Sequence, residues 1–213
     1  MKIKVFPLIL FQVNCYVVYD PVEKKAAIID PGIVDDRELD AIDRFLRENS
    51  LEVVSVINTH LHIDHVVSNS SLAEKYGVPV MAHADDSFLG DRLLDQARQF
   101  GLPFRMENAG VTHYLRDGEI IPVGSGSLEV IHLPGHSPGG IGLYDAQDGF
   151  LITGDTLFQG SVGRTDLPGG DMGRLLESIR KRIYPLPDET VIYPGHGPAT
   201  TLAREKTSNP FLR

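Results

Sequence analysis

The sequence predicts an α/β protein with sheet inside and helices outside. In the first 110 residues, short runs rich in Val, Ile and Tyr alternate with segments whose apolar residues recur at helical spacing. After that, strand-like runs joined by tight Gly or Pro turns dominate. With 213 residues and 42% hydrophobic content, the chain can fill a sizeable core. No repeat or low-complexity linker divides it, so we predict one domain over residues 1–213.

The first half contains five predicted strands and three predicted helices. Apolar runs rich in Val, Ile and Tyr predict strands at residues 2–9, 12–20, 24–30, 53–57 and 78–82. Helical spacing of apolar residues predicts helices at residues 36–49, 64–76 and 85–100. Cys15 lies within the second strand, where we expect a small buried residue rather than a nucleophile.

The second half is predicted to be mostly strand. Strands are predicted at residues 119–123, 128–133, 140–144, 149–153 and 190–193. A helix is predicted at residues 171–183, where the apolar residues form one stripe, and a short terminal helix from about residue 201.

The charge and composition of the chain limit the kinds of partner that it is expected to bind. The net charge is −9 and the Lys and Arg residues are scattered, which argues against nucleic acid because phosphate binding needs a concentrated basic surface. A single cysteine excludes an internal disulfide and fits a reducing compartment. The apolar N-terminus lacks a small-residue cleavage site, and no segment is long and apolar enough to span a bilayer. We expect a soluble, cytoplasmic protein with no membrane partner.

Residues 59–65, with the sequence THLHIDH, place four metal-competent side chains next to each other: His60, His62, Asp64 and His65. Imidazole and carboxylate ligands suit Zn, Fe or Mn. On an extended strand end the two alternate histidines point the same way, and the Asp and the last His then begin a helix. A single histidine is usually structural and an aspartate before a helix is usually a cap. Three histidines and one aspartate at this density favour a metal site.

Three later loops repeat this arrangement. Each strand predicted to end near residues 133, 153 and 193 is followed by a glycine and then a metal-competent side chain, namely His136, Asp155 and His196. Glycine permits turns that direct the next side chain across a strand end. If the strand ends lie along one edge, seven candidate ligands meet there.

These motifs, in this order, closely resemble the metallo-β-lactamase superfamily. The resemblance covers nearly the whole chain and implies a four-layer αββα sandwich of two mixed sheets with helices on the outer faces and metals at one edge. It also implies two divalent ions, most simply Zn, with Fe or Mn as alternatives. By the same resemblance, the first ion takes His60, His62 and His136, the second takes Asp64, His65 and His196, and Asp155 bridges them.

Two further segments resemble particular branches of the superfamily. Residues 154–158 (GDTLF) resemble glyoxalase II, the hydrolase of S-(hydroxyacyl)glutathione thioesters. Residues 163–171 (GRTDLPGGD) resemble short glyoxalase II-like proteins and also the persulfide dioxygenases. Most β-lactamases of the family carry Cys in place of Asp155 and are exported. This chain carries Asp at that position and is expected to be cytoplasmic, and both differences argue against antibiotic hydrolysis.

Elementary chemistry is consistent with thioester hydrolysis. Two divalent ions about 3.5–4 Å apart, two aspartates and a bridging hydroxide leave a net positive site that holds hydroxide near neutral pH and polarises a carbonyl. A thiol of pKa about 8.5 leaves without help from a general acid. Asp64 is the one candidate to orient the hydroxide or accept a proton. Arg164 either binds a substrate carboxylate or holds its loop by pairing with Asp166 or Asp171.

Three classes of function stay open. We favour a two-metal hydrolase of small anionic thioesters of the glutathione type. The resemblance also admits an iron persulfide dioxygenase, which uses only His60, His136 and Asp155. A non-catalytic metal-binding protein is the third class, and the complete ligand set argues against it. A nuclease of the superfamily is disfavoured by the acidic balance. Three histidines outside the motifs are interpreted as surface or packed residues: His83, His113 and His132.

Overall fold

A computed structural model describes residues 1–103, 106 and 108–212. Its first sheet has six strands in chain order: β1 (Lys2–Pro7), β2 (Asn14–Tyr19), β3 (Lys25–Ile29), β4 (Glu52–Ile57), β5 (Val80–His83) and β6 (His113–Leu115). The first three strands are antiparallel, and the last four run parallel from β3 onward. The sheet is therefore mixed.

The second sheet comprises six strands from the second half of the chain: β7 (Ile120–Val123), β8 (Gly126–His132), β9 (Ile141–Asp145), β10 (Phe150–Gly154), β13 (Val191–Pro194) and β14 (Thr200–Thr201). A separate hairpin joins β11 (Leu157–Phe158) to β12 (Ser161–Val162). Strands β8, β10 and β13 run in the same direction, because β9 is antiparallel to both of its neighbours and β10 pairs with β13 in parallel. Their carboxyl ends therefore share one edge.

Helices cover the outer face of each sheet. The helices are α1 (Asp36–Glu48), α2 (Ile63–Val66), α3 (Asn69–Tyr76), α4 (Ser87–Gly90), α5 (Leu93–Gln99), α6 (Met172–Ser178), which continues as a π-helix over Ile179–Ile183, and α7 (Leu202–Ser208). Helices α1 and α3 pack on the first sheet, and α6, its π-helical continuation and α7 pack on the second. Helices α2, α4 and α5 surround the loop after β4.

Strand periodicity explains the layers. In β2, Tyr16 and Val18 pack between the two sheets, whereas Cys15 and Val17 pack outward toward Ile42 of α1. Successive side chains of a strand face opposite sides, so one strand supplies two separate apolar layers. The four-layer αββα sandwich predicted from the sequence is confirmed, and Cys15 is buried as expected.

The helix predicted at residues 64–76 is broken after Val66, which corrects that prediction. The Asn58 side chain donates to the carbonyl of His65 (2.9 Å), and the Ser68 backbone N–H donates to the carbonyl of Pro31 (3.1 Å). Asn69 then begins α3 with its side chain bonded to that of Asn58 (2.8 Å). These tertiary bonds replace the helical hydrogen bonds at the break.

The helix predicted at residues 85–100 is likewise divided, into a 3₁₀ turn (Ala84–Asp86), α4 and α5. The break follows Gly90, where an added Cβ would lie 2.9 Å from Leu61 of the ligand loop. Strands β6, β11, β12 and β14 were not predicted, since each has only two or three residues and too little pattern to detect. Among the described residues, no helix is long and apolar enough to cross a membrane.

Candidate metal centre

The four motif-bearing loops follow β4, β8, β10 and β13 and meet at one edge of the sandwich. They bring together all seven side chains that the sequence predicts as ligands: His60, His62, Asp64, His65, His136, Asp155 and His196. The first two lie in the loop after β4, and the next two lie in α2 as predicted. We call these seven residues the candidate centre.

The first triad consists of histidines alone. The ligand atoms of His60, His62 and His136 all lie within 4.8 Å of one another, and all three residues are buried. Nδ1 of His62 lies 2.9 Å from Nε2 of His136. The ring planes of these two residues are inclined at 86°, so their nitrogens converge rather than run side by side. One ion can therefore contact all three rings.

The second triad is Asp64, His65 and His196. Oδ2 of Asp64 lies 3.3 Å from Nε2 of His196 and 3.6 Å from Nε2 of His65. Asp155 lies between the two triads. Its Oδ1 is 3.7 Å from Nε2 of His65, and its Oδ2 is 3.6 Å from Nε2 of His136 and 3.5 Å from Nε2 of His196. One carboxylate therefore faces ring nitrogens from both triads.

Glycines before the ligands serve two different purposes. Gly135 and Gly154 have positive φ angles of 143° and 51°, so they form turns that other residues rarely adopt. The predicted turn role therefore holds for these two. Gly195 instead provides space, because an added Cβ would lie 2.1 Å from Oδ1 of Asp155. A side chain at that position would displace the central carboxylate.

Three of the histidines are oriented by a bond on their outer nitrogen. Nδ1 of His136 donates to the carbonyl of Arg164 (2.8 Å), and Nδ1 of His196 donates to the carbonyl of Phe11 (3.0 Å). The Thr59 hydroxyl accepts from Nδ1 of His60 (3.1 Å). With a proton held on Nδ1, Nε2 of each ring faces inward and is the nitrogen that can bind a metal when the imidazole is neutral.

Asp30 is a site residue that the sequence analysis missed, since it was interpreted only as the last residue of a strand. Its carboxylate accepts from the Thr59 backbone N–H (2.8 Å) and hydroxyl (2.7 Å) and lies 3.1 Å from Nδ1 of His65. Asp30 is fully buried at the end of β3, next to β4, and has a φ of 53°. A buried strand that ends in Asp was the available signal, but its importance depends on which strand lies beside it.

Asp86 and Gln96 also hold the ligand loop, and no local signal marks either one. Asp86 accepts from the Leu61 backbone N–H (3.1 Å), the Ser137 hydroxyl (2.8 Å) and the Gly139 backbone N–H (2.5 Å). It therefore connects the loop of His60 and His62 to the loop of His136. The Gln96 side chain accepts from the Ile63 backbone N–H (2.9 Å) and donates to the carbonyl of Leu61 (3.3 Å).

Two histidines of the first triad, His60 and His62, are held neutral. Burial, with the neighbouring ring of His136, lowers the pKa of His62 to about 3. Burial and the other rings hold the pKa of His60 well below its usual value. Neutral imidazole is the form that binds metal, so these rings need no deprotonation before an ion binds.

The second triad is ionic. Burial opposes protonation of His65 and His196, but the carboxylates of Asp64 and Asp155 outweigh it. The pKa of His65 rises to about 9 and that of His196 to about 10. Burial opposes ionisation of Asp155, yet the hydrogen bond from His196 lowers its pKa below the ordinary range. The two triads therefore differ in charge although they share one carboxylate.

Several inward atoms of the centre lack a hydrogen-bond partner among the described residues. Nε2 of His60, Nε2 of His65 and Oδ1 of Asp155 are fully buried with none. Buried polar atoms are normally satisfied, and an orphaned set that converges on one point fits bound cations. Nitrogen and carboxylate donors fit Zn, Fe or Mn. The residues present therefore fit the metals that the sequence analysis expected.

A cavity of about 400 Å³ opens onto this centre. Arg164 lies at its wall, and its guanidinium makes two 2.6 Å bonds to the carboxylate of Asp166. Of the two roles considered for Arg164, loop pairing is therefore the one that the geometry displays. A role of Arg164 in binding substrate stays a prediction, as does the role of Asp64 in handling a proton.

The histidines outside the motifs lie away from the centre. His83, at the end of β5, stacks on His132 with ring centroids 4.1 Å apart and an interplanar angle of 12°. Asp85 lies 3.9 Å from a ring nitrogen of each. We call these three residues the stacked cluster. His113 instead pairs with Glu119 at 2.8 Å.

Comparison with known proteins finds relatives over the whole chain. Residues 8–196 match the profile described as "Metallo-beta-lactamase superfamily". The chain is 41% identical over 213 residues to "Hydroxyacylglutathione hydrolase GloC" of Haemophilus influenzae, with 100% of this chain and 98% of that protein covered.

Solved structures are similar over the same span. The crystal structure of BLEG-1 B3 metallo-beta-lactamase has a TM-score of 0.89 at 36% identity, with 99% of both chains covered. The structure of TTHA1623 "in a di-iron-bound form" has a TM-score of 0.83 at 36% identity, with both chains fully covered. ETHE1 from Myxococcus xanthus has a TM-score of 0.80 at 26% identity, with 99% of this chain and 84% of that chain covered.

Proposed function

This chain belongs to the metallo-β-lactamase superfamily, and we propose that it is a two-metal hydrolase of glutathione-type thioesters. The observation that carries the proposal is the position of Asp155, within 3.7 Å of ring nitrogens from both triads. A carboxylate in that position can contact two ions at once. The full-length likeness to a hydroxyacylglutathione hydrolase supports the substrate class.

The proposed ligand sets are the two triads with Asp155 shared: His60, His62 and His136 for one ion, and Asp64, His65 and His196 for the other. Zn is the expected metal, and the di-iron relative makes Fe the main alternative to test. Divalent ions bound there would supply hydroxide near neutral pH and polarise the substrate carbonyl.

The chain's own residues prepare the site for this reaction. Oδ2 of Asp64 faces the second triad and is the group best placed to orient a nucleophilic water and accept its proton. Burial opposes ionisation of Asp64, but His65 beside it lowers the pKa of the carboxyl, which keeps it a proton acceptor. Asp30 and Asp86 accept hydrogen bonds that hold the ligand-bearing loops in position. A thiolate leaving group needs no dedicated acid.

Two other reactions have specific support. β-Lactam hydrolysis is suggested by the 36% identity to a structure titled as a B3 metallo-β-lactamase. Persulfide dioxygenation, the alternative from the sequence analysis, is suggested by the likeness to ETHE1. Both would use the same edge of the fold, so ligand geometry alone does not separate them.

One experiment on the purified protein distinguishes the three reactions. Elemental analysis gives the metal content, and the same preparation is assayed for thiol release from S-lactoylglutathione, oxygen uptake with glutathione persulfide and opening of a chromogenic cephalosporin. We expect two ions per chain and thiol release as the dominant activity. A single iron with rapid oxygen uptake, or cephalosporin opening as the fastest reaction, would contradict the proposal. His113→Gln serves as a control, since this histidine lies outside the centre.

A further inference from the structure

The wall of the cavity beyond the candidate ligands is apolar. Four side chains from separate segments form it: Phe11 of the β1–β2 loop, Phe100 after α5, Phe158 of β11 and Leu167 of the loop after β12. Three aromatic rings drawn from distant parts of the chain make a large apolar surface beside a polar centre.

Phe11 is held in an unusual conformation. Its side chain is 48% exposed, and both Phe11 and Gln12 have positive φ angles, of 48° and 58°. Residues with side chains rarely adopt such angles, so the surrounding contacts must maintain them. One contact is the bond from Nδ1 of His196 to the Phe11 carbonyl (3.0 Å). The backbone that orients a candidate ligand therefore also places an aromatic ring at the cavity.

The rings are arranged around the centre. Phe11 packs edge-on against Phe100, with centroids 5.6 Å apart and an interplanar angle of 69°. The ring of Phe158 lies 6.4 Å from that of His196. Phe158 therefore lies beside a candidate metal ligand and lines the same cavity.

The wall offers no free positive charge among the described residues. Within the part of the chain that the structure describes, Arg164 is the one Lys or Arg that lines the cavity, and both of its 2.6 Å bonds go to Asp166. Glutathione carries two carboxylates, and an apolar wall would desolvate them without compensation. The charged thiol carrier therefore does not suit this wall, whereas an apolar acyl group does.

We propose that Phe11, Phe100, Phe158 and Leu167 form a subsite for an aryl or branched apolar acyl group of the thioester. This inference rests on the proposed hydrolase function and specifies its substrate. The glutathione moiety then extends toward solvent, while the acyl group occupies the wall.

A matched pair of substrates tests the subsite. S-mandeloylglutathione differs from S-lactoylglutathione only in a phenyl group that replaces the methyl group, so a change in the ratio of their kcat/KM values between the wild type and a wall variant reports the wall. We expect the mandeloyl ester to be favoured ~10-fold or more, the range typical of added apolar contact in a pocket. Phe158→Ala and Phe100→Ala should each lower the ratio toward one. Phe211→Ala is the control. Phe211 is 48% exposed, as Phe11 of the wall is, but it lies outside the cavity, so this substitution should leave the ratio unchanged.

Equal kcat/KM values for the two esters, or a ratio that survives both alanine substitutions, would overturn the subsite. Binding of 2-mercapto-2-phenylacetate and 2-mercaptopropanoate to the metal-containing protein, measured by calorimetry, separates this failure from failure of the hydrolase function. Even if no thioester is cleaved, the phenyl compound should bind ~10-fold more tightly than the methyl compound, and Phe158→Ala should abolish this preference. That result would still support the proposed acyl subsite. Equal binding of the two compounds would refute it.

Discussion

The described residues contain two groups of histidine and aspartate, and these groups differ in the features that make a metal site. In the first triad of the candidate centre, the rings stand nearly perpendicular, at 86–87° between His62 and its two neighbours. In the stacked cluster, His83 and His132 are nearly parallel at 12°. Ring lone pairs lie in the ring plane, so perpendicular rings can direct them to one point and parallel rings cannot.

Burial and bonding also separate the two groups. The centre leaves inward nitrogens buried without partners, and outer nitrogens bonded to carbonyl groups. In the stacked cluster Asp85 is 58% exposed, and Nε2 of His132 already donates to the carbonyl of Pro138 (2.9 Å). Proximity of the right residue types is therefore insufficient. Convergent, desolvated and unsatisfied atoms are what distinguish a metal centre.

The largest effect should follow from Asp155→Asn, which removes the carboxylate shared by both triads. We expect metal affinity and the rate of hydrolysis to fall by more than ~100-fold, since loss of a residue that only hydrogen-bonds to a metal ligand already costs ~10–100-fold. Competition with a chromogenic chelator measures the affinity. Asp145→Asn, at a buried aspartate whose Oδ1 accepts from Gln147 and Asp148, is the control and should keep its metal. Two tightly held ions in the Asp155 variant would refute the shared role.

Asp30→Asn should produce the next largest effect. The change weakens the orientation of Thr59 and His65, so metal affinity should fall ~10–100-fold while the fold persists. Asp20→Asn provides the matched control. The carboxylate of Asp20 also accepts a short side-chain hydrogen bond, from the Ser125 hydroxyl (2.6 Å), but Asp20 lies outside the centre. We expect Asp20→Asn to lower thermal stability without a change in metal affinity. Equal metal affinities in the two variants would contradict a positioning role for Asp30.

Removal of metal should lower thermal stability by a moderate amount. Each ion at 100 times its Kd stabilises the native state by ~2.7 kcal/mol. That corresponds to roughly 5–10 °C in Tm per ion for a chain of this size. Differential scanning calorimetry of chelator-treated and reloaded protein measures the shift. An unchanged Tm would show that the ions bind elsewhere or weakly, and would weaken the contrast between the two groups.

The smallest effect is expected in the stacked cluster. His83→Gln and His132→Gln should leave the metal content unchanged and thioester hydrolysis within about twofold, the size expected away from the reacting groups. Elemental analysis of both variants beside His113→Gln gives the comparison. Loss of one equivalent of metal in either variant would place an ion in the stacked cluster and remove the distinction drawn here.

The candidate centre could be located from the sequence because its signals are local. Residues 59–65 carry four of the seven side chains, and each of the other three follows a glycine at a strand end. Parallel strands bring such ends together, and the structure brings all seven side chains to one edge. The family and the αββα sandwich were predicted correctly for the same reason. The ligand assignments, the single domain and the location in the cell stay predictions.

The features that the sequence did not predict depend on hydrogen-bond partners that lie far away along the chain. Asp30, Asp86 and Gln96 look like ordinary turn or helix residues until the fold places Thr59, Leu61 and Ile63 against them. The break after α2 has the same origin, because Asn58 takes the carbonyl of His65 that a continuous helix would use. Local pattern predicts an element, and tertiary hydrogen bonds decide where it is interrupted.

Each triad draws two side chains from the short segment after β4 and its third from a distant loop of the second sheet: His136 for the first triad and His196 for the second. An ion bound to such a triad closes a long loop of the chain and fastens one sheet to the other. A chain with one cysteine has no internal disulfide to do this. The stabilisation would then come from binding of the ions to the native state, the one state in which the two sheets hold all the ligands together. In this protein, catalytic ions would double as reversible cross-links that resist separation of the two sheets.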